Sequence, residues 1–155
     1  MPYKLDYSKI DHSQLHVFTE NRKRRIFVGC LHWNKDKNVF EFKYDFKYAK
    51  SKTAIPIGKE LDLFKKTHTS KGKLFPSFLD RIPSKENPAY PDYCKSQGIS
   101  VNETNPIILL IAIGKRGPSS FIFEPVFLNH FDYKRIRNFR ESLNLSIHEF
   151  AAAFD

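Results

Sequence analysis

The chain has 155 residues, 41% of them apolar and 15% aromatic, and a formal net charge of +9. That length holds one ordinary domain with a short appendage, and 15 Phe and 7 Tyr can supply much of its core. The longest apolar run, residues 107–113, is far short of the ~20 residues that a membrane helix needs, and MPYKLDYSK has no signal-peptide stretch; a cytoplasmic chain with no membrane partner is expected.

From Gln14 to Lys50 the pattern is that of strands. QLHVFTE, RRIFVGCLHW and NVFEFKYDF are rich in Val, Ile, Phe and Tyr, with partial period-two alternation. The polar stretches ENRK and NKDK between them are short enough for hairpin turns. Alternation places Phe40, Phe42, Tyr44 and Phe46 on one face, opposite Glu41, Lys43, Asp45 and Lys47, as in a half-buried antiparallel meander. A fourth strand is expected over residues 54–57, at an edge because Pro56 cannot donate to a ladder.

The middle of the chain changes character. LFPSFLDRI, residues 74–82, predicts one or two helical turns ended by Pro83, and PDYCKSQG predicts a helix closed by Gly98. In NPIILLIAIG, Asn105 serves as N-cap, Pro106 as the first helical residue and Gly114 as the residue past the end. That helix is apolar all round and should be buried. Gly117-Pro118 turns the chain into a last strand, SSFIFEPVF. In the tail, Ile136, Phe139 and Leu143 share a helical stripe, Ser146 and Glu149 form a capping box, and Leu145 and Phe150 a hydrophobic staple. The expected fold is therefore α+β. An antiparallel meander with short helices packed on it occupies residues 14–130, and a helical hairpin occupies residues 131–155.

Motifs of catalysis are missing. GKRGPSS has the glycines, basic residues and serines of a phosphate loop in the wrong order. His12 and His16, and the pair Cys30 and His32, lack further ligands at zinc-site spacing. There is no G-x-S-x-G and no kinase or hydrolase motif set, so neither enzymatic activity nor a cofactor or metal is expected. Cys30 and Cys94 are expected to be reduced thiols. The run Arg22-Lys23-Arg24-Arg25 more often marks a solvated turn than a nucleic-acid site. Trp33, the one tryptophan, lies near a strand end and is a candidate binding anchor.

Three segments in order carry a resemblance. FVGCLHWNKDKNVFEFKYDFKYA, LFPSFLDRIPS and NPIILLIAIGKRGPSSFIFE are similar to the hairpin, Phe-Leu-Pro segment and closing stretch of the N-terminal subdomain of HipA-type serine/threonine kinases, over roughly residues 14–127. Two positions depart from the family pattern: Arg81 stands at an Asn position, and Lys115-Arg116 replaces an acidic residue. No kinase catalytic loop follows within these residues. The resemblance therefore implies a separate module like HipS, the small antitoxin that binds and neutralises its matching kinase toxin. The segment DYKRIRNFRESLNLSIHEFAAAFD resembles the start of an Xre/Cro-type helix-turn-helix, as in the repressor HipB. It lacks the recognition helix that reads base edges, and Asp155 falls within a helical pattern, so a longer natural chain is expected.

Three functions follow as expectations. The first is a non-catalytic antitoxin-like module that docks on a HipA-family kinase toxin, with Phe75, Phe78, Leu79, Asp80, Arg81, Ile82, Ser84 and Trp33 as contact candidates. The second is a transcriptional regulator whose helix-turn-helix reads operator DNA, alone or with a HipB-like repressor; Arg137 and Arg140 are its DNA-contact candidates. The third is a β-module that binds nucleic acid through Phe and Tyr interleaved with Lys and Arg, although a sheet with one wet face already explains that alternation.

Overall fold

The structure, a computed structural model, describes residues 4–128. The expected helix pair over residues 131–155, with Arg137 and Arg140, lies outside the described residues. Three consecutive strands open the domain: β1 (Ile10–Glu20), β2 (Arg25–Asn34) and β3 (Val39–Tyr44). They form the meander expected from their alternation, with Leu15 opposite Leu31 and Leu31 opposite Phe42. The sheet is completed by β4 (Thr67–Lys71) beside β3 and β5 (Phe121–Phe127) beside β1, giving the antiparallel order β4-β3-β2-β1-β5.

Helices fill the connections. They are α1 (Phe46–Lys50), α2 (Pro76–Leu79), α3 (Tyr90–Ser96) and α4 (Pro106–Ala112). The cap of α4 is as expected, for the Asn105 side chain accepts from the backbone N–H of Ile107 and Ile108. All six apolar residues after Pro106 are buried. Ile107, Leu110 and Ile111 join the core under the sheet with Leu15, Val17 and Phe123. β5 ends two residues after Pro125, which is tolerated because β5 is an edge strand and one side of its ladder needs no donor.

Two expectations fail here. Residues 54–57 form no strand; the fourth strand is the polar segment THTSK, whose His68 is buried opposite Phe42. Phe46 does not continue the apolar face of β3. The Asp45 carboxylate accepts from the Tyr48 N–H and starts α1, which turns Phe46 out to 65% exposure. The site of that turn is prepared by a bulge in β2. Val17 pairs with Gly29 and Phe18 with Phe27, so Val28 is an extra residue, and its carbonyl accepts from the Asp45 N–H at 2.7 Å. Gly29 is required beside it, since a Cβ there would lie 2.3 Å from the Lys43 carbonyl oxygen.

Candidate partner-binding surface

The segment LFPSFLDRIPS is mostly structural. Phe75 and Phe78 are buried, and the Phe78 ring packs 5.0 Å from Phe123 and 5.7 Å from Phe42. These two side chains plug the sheet, so they offer nothing to a partner. Ile82 is half-buried against the same core. Leu79, at 54% exposure, and Asp80 face solvent. Ser84 is exposed, and its hydroxyl accepts from the Glu86 N–H as a local turn.

Arg81 corrects the reading of this segment most sharply. Its guanidinium is turned inward, donating to the carbonyls of Lys115 (2.7 Å) and Phe121 (3.0 Å) and to the Ser119 hydroxyl (3.3 Å). It also lies 4.4 Å over the Phe123 ring, while its Nε is buried without a partner. Burial pulls its pKa below the ordinary arginine value. Gly117 makes room for it, since a Cβ at that position would come within 2.5 Å of the Arg81 Nε. The two departures from the family pattern therefore meet in space: Arg81 holds the backbone at Lys115. A side chain with three acceptors inside its own domain is a staple between α2 and the loop before β5. It is not a free donor for a kinase.

Trp33 sits at the far end of β2. Its ring is stacked 5.9 Å from Phe40 and its Nε1 donates to Asn38 at 3.1 Å. It is half-buried and satisfied within the β2–β3 hairpin. Among the other residues singled out in the sequence, His12 bonds the Tyr7 carbonyl, and His16 packs edge-on to Phe27 at 5.1 Å. Cys30 and Cys94 are both free thiols.

A surface that sequence reasoning missed lies between α1 and residues 54–66. It is an open groove of about 600 Å³ lined by Tyr44, Phe46, Ala49, Ala54, Leu63 and Phe64, with Lys50 and Lys66 at its edge. Lys47, Lys52, Lys59 and Lys65 are exposed in the same segments. Phe64 is 98% exposed, more than any other large apolar side chain among the described residues.

The loop that carries Phe64 is nonetheless firmly held. The Tyr44 hydroxyl donates to the Leu61 carbonyl and accepts from the Ile57 N–H, while the Tyr48 hydroxyl does the same with the carbonyl and N–H of Ile55. Burial pushes the Tyr44 phenol up to about 12 and raises that of Tyr48, which keeps both hydroxyls protonated and able to donate. His68 Nε2 bonds the Asp62 carbonyl at 2.8 Å, and the Glu60 carboxylate accepts from the Ser77 N–H at 2.7 Å, tying the loop to β4 and α2. The Asp62 side chain accepts from the Phe64 N–H at 2.9 Å and sets the turn that points the ring outward. A mobile loop would let the ring fold back onto apolar neighbours; these bonds prevent it.

This surface combines exposed apolar rings with a basic rim. An exposed aromatic on a fixed backbone loses little entropy on burial and gains about 1.5–3 kcal/mol from leaving water. Lys50, whose ammonium already lies 4.1 Å from the Phe46 ring, supplies charge at the rim with Lys66. The profile of the HipA N-terminal domain matches residues 15–123, more than half of the 155 residues. No curated protein matches the chain. The matched span begins within β1 and ends within β5, so it takes in most of β1, all of β2 and β3, the Tyr-pinned groove and the Arg81 staple; the chain belongs to the HipA N-terminal domain family.

Proposed function

We propose that this domain is a non-catalytic, antitoxin-like module that binds and restrains a HipA-family serine/threonine kinase toxin, and that it docks through the groove at Phe46 and Phe64. The family membership supports the kinase as partner, since the domain is named for its place at the N-terminus of HipA. The single observation that carries the docking surface is Phe64, almost wholly exposed on a loop fixed by Tyr44, Tyr48 and His68. Apolar anchors of this kind, ringed by polar groups, dominate binding energy at protein interfaces. The lysine rim favours an acidic patch on the kinase, and attraction between the two speeds encounter more than it adds affinity. Leu79 and Asp80 are exposed but are not among the residues that line this groove.

The test is calorimetric titration of the 155-residue chain into a purified HipA-type kinase encoded beside it, with kinase autophosphorylation followed in parallel. Saturable binding with loss of kinase activity is expected. A kinase that neither binds the chain nor slows in its presence would end this reading. The absence of catalysis by the chain is part of the proposal, and ATP turnover by the purified chain alone would contradict it.

A further inference from the structure

The run Arg22-Lys23-Arg24 lies at one end of the sheet, in the turn between β1 and β2. Pairing continues to Glu20 opposite Arg25, so the turn projects from a closed ladder. It is tightly built: the Asn21 side chain accepts from the N–H of Lys23 and Arg24, and the Asn21 N–H donates to the Arg24 carbonyl. The loop before β5 joins it there. The Glu20 N–H donates to the Ser120 carbonyl at 3.4 Å, and the Thr19 and Ser120 hydroxyls bond at 3.0 Å. That loop brings Lys115 and Arg116.

The tip thus gathers six basic side chains, Arg22 to Arg25 with Lys115 and Arg116, around the carboxylates of Glu20 and Glu124. Those two carboxylates are already engaged. Glu20 bonds Arg25 and Arg116, and Glu124 bonds Arg25 and Lys115. The bond to Arg25 holds the Glu20 carboxyl below its ordinary range, so it stays ionised. Arg22, Lys23 and Arg24 are exposed and make no ion pair among the described residues.

The surroundings decide what this surface suits. None of the exposed large apolar side chains among the described residues falls within 19–26 or 114–120. A protein interface needs an apolar centre, whereas contact with a phosphate backbone needs only cations. Arginine forks match phosphate oxygens in pairs, and a rigid turn presents them with little ordering cost. We infer that the β1–β2 tip and the loop beside it form a contact surface for the phosphate backbone of duplex DNA. This surface reads no sequence; it adds salt-sensitive affinity and orientation, and it is separate from the Phe64 groove.

The test is fluorescence anisotropy of a labelled, mixed-sequence DNA duplex against the full chain over a range of salt concentrations. The logarithm of affinity should fall with the logarithm of salt at a slope of about −3 or steeper, as three or more phosphate contacts require. Replacing Arg22, Lys23 and Arg24 together by Glu should weaken binding at least about tenfold and flatten the slope by about 2 to 3. The comparison variant replaces Lys35, Lys37 and Lys73 by Glu, the same change of charge at the opposite end of the sheet, where all three are exposed. It should lose roughly threefold or less, as expected of charges outside the contact. Should the Glu variant fail to fold by circular dichroism, the triple Gln variant replaces it, with a loss still larger than that of the comparison variant. Equal losses from the two ends would mean that net charge alone attracts the duplex, and would overturn the inference. So would a wild-type chain that binds no duplex at low salt.

Discussion

The region around Arg81 and the loop around Phe64 treat polar and apolar groups in opposite ways. At Arg81 a charged side chain is drawn in over Phe123 and spends its donors on Lys115, Ser119 and Phe121. At Phe64 an aromatic ring is pushed out of the domain by a backbone fixed to two buried tyrosines and a buried histidine. Each placement costs stability unless something offsets it. For Arg81 the offset is inside the domain, in three hydrogen bonds that close the loop before β5. For Phe64 the described residues contain no such offset, and under the proposed function burial against a partner would supply one. Three internal acceptors mark Arg81 as structural, and the lack of any internal contact of that kind is why Phe64 is proposed as the docking group.

The comparison can be broken most severely from the core side. Phe78→Ala removes the ring that fills the space between Phe42 and Phe123, and should cost about 3–5 kcal/mol of unfolding free energy. Urea denaturation measures it, and a loss under 1 kcal/mol would mean that α2 is not part of the core. Arg81→Ala should cost about 2 kcal/mol, because it strands two backbone carbonyls. Arg81→Lys should recover little, since an ammonium cannot reach all three acceptors in a planar fork. A fully stable Arg81→Ala protein would return this side chain to the candidates for partner contact.

Tyr44 sharpens the other half of the comparison. Its phenol titrates near 10.0 when unperturbed and at about 12 in the folded domain. The unfolded chain therefore loses this proton first as pH rises. The resulting contribution is full below pH 10 and declines as pH rises towards 12. Tyr44→Phe should remove that part of the alkaline decline and cost about 1 kcal/mol at neutral pH. It should also speed amide exchange at Ile57, whose N–H loses its acceptor. Identical pH profiles for wild type and variant above pH 10 would contradict this assignment.

Much of this fold is legible in the sequence, and the exceptions have physical causes. Alternation reveals β2 and β3, and the Asn-Pro pair with its following Gly reveals α4. β4 escapes because THTSK has no apolar alternation; it is recruited by the free edge of β3 and buries one histidine. Phe46 misleads because the period-two pattern runs on through Asp45, where a helix cap competes with strand continuation and wins. The capping residue was the available signal, although a single Asp at that position is a weak one.

The candidate site was less legible than the fold. Phe75, Phe78 and Arg81 share a motif that resembles the family, but resemblance does not say which side chains face inward. Phe64 stands in LDLFKK, where nothing local distinguishes an exposed ring from a core one. Its exposure depends on contacts from Tyr44, Tyr48 and His68, which come from β3, α1 and β4. Such information is tertiary. The groove became recognisable only once those elements were placed.

The most direct test of the Phe64 assignment is the Phe64→Ala variant, measured for stability and for affinity towards the HipA-type kinase in one set of experiments. A ring that is 98% exposed contributes little to the fold, so the unfolding free energy should change by no more than a surface substitution allows, within about 0.5 kcal/mol. Affinity should fall by about 2 kcal/mol, roughly 30-fold, as the loss of the proposed apolar anchor requires. Undiminished affinity with an intact fold would show that the kinase docks elsewhere and would contradict the account.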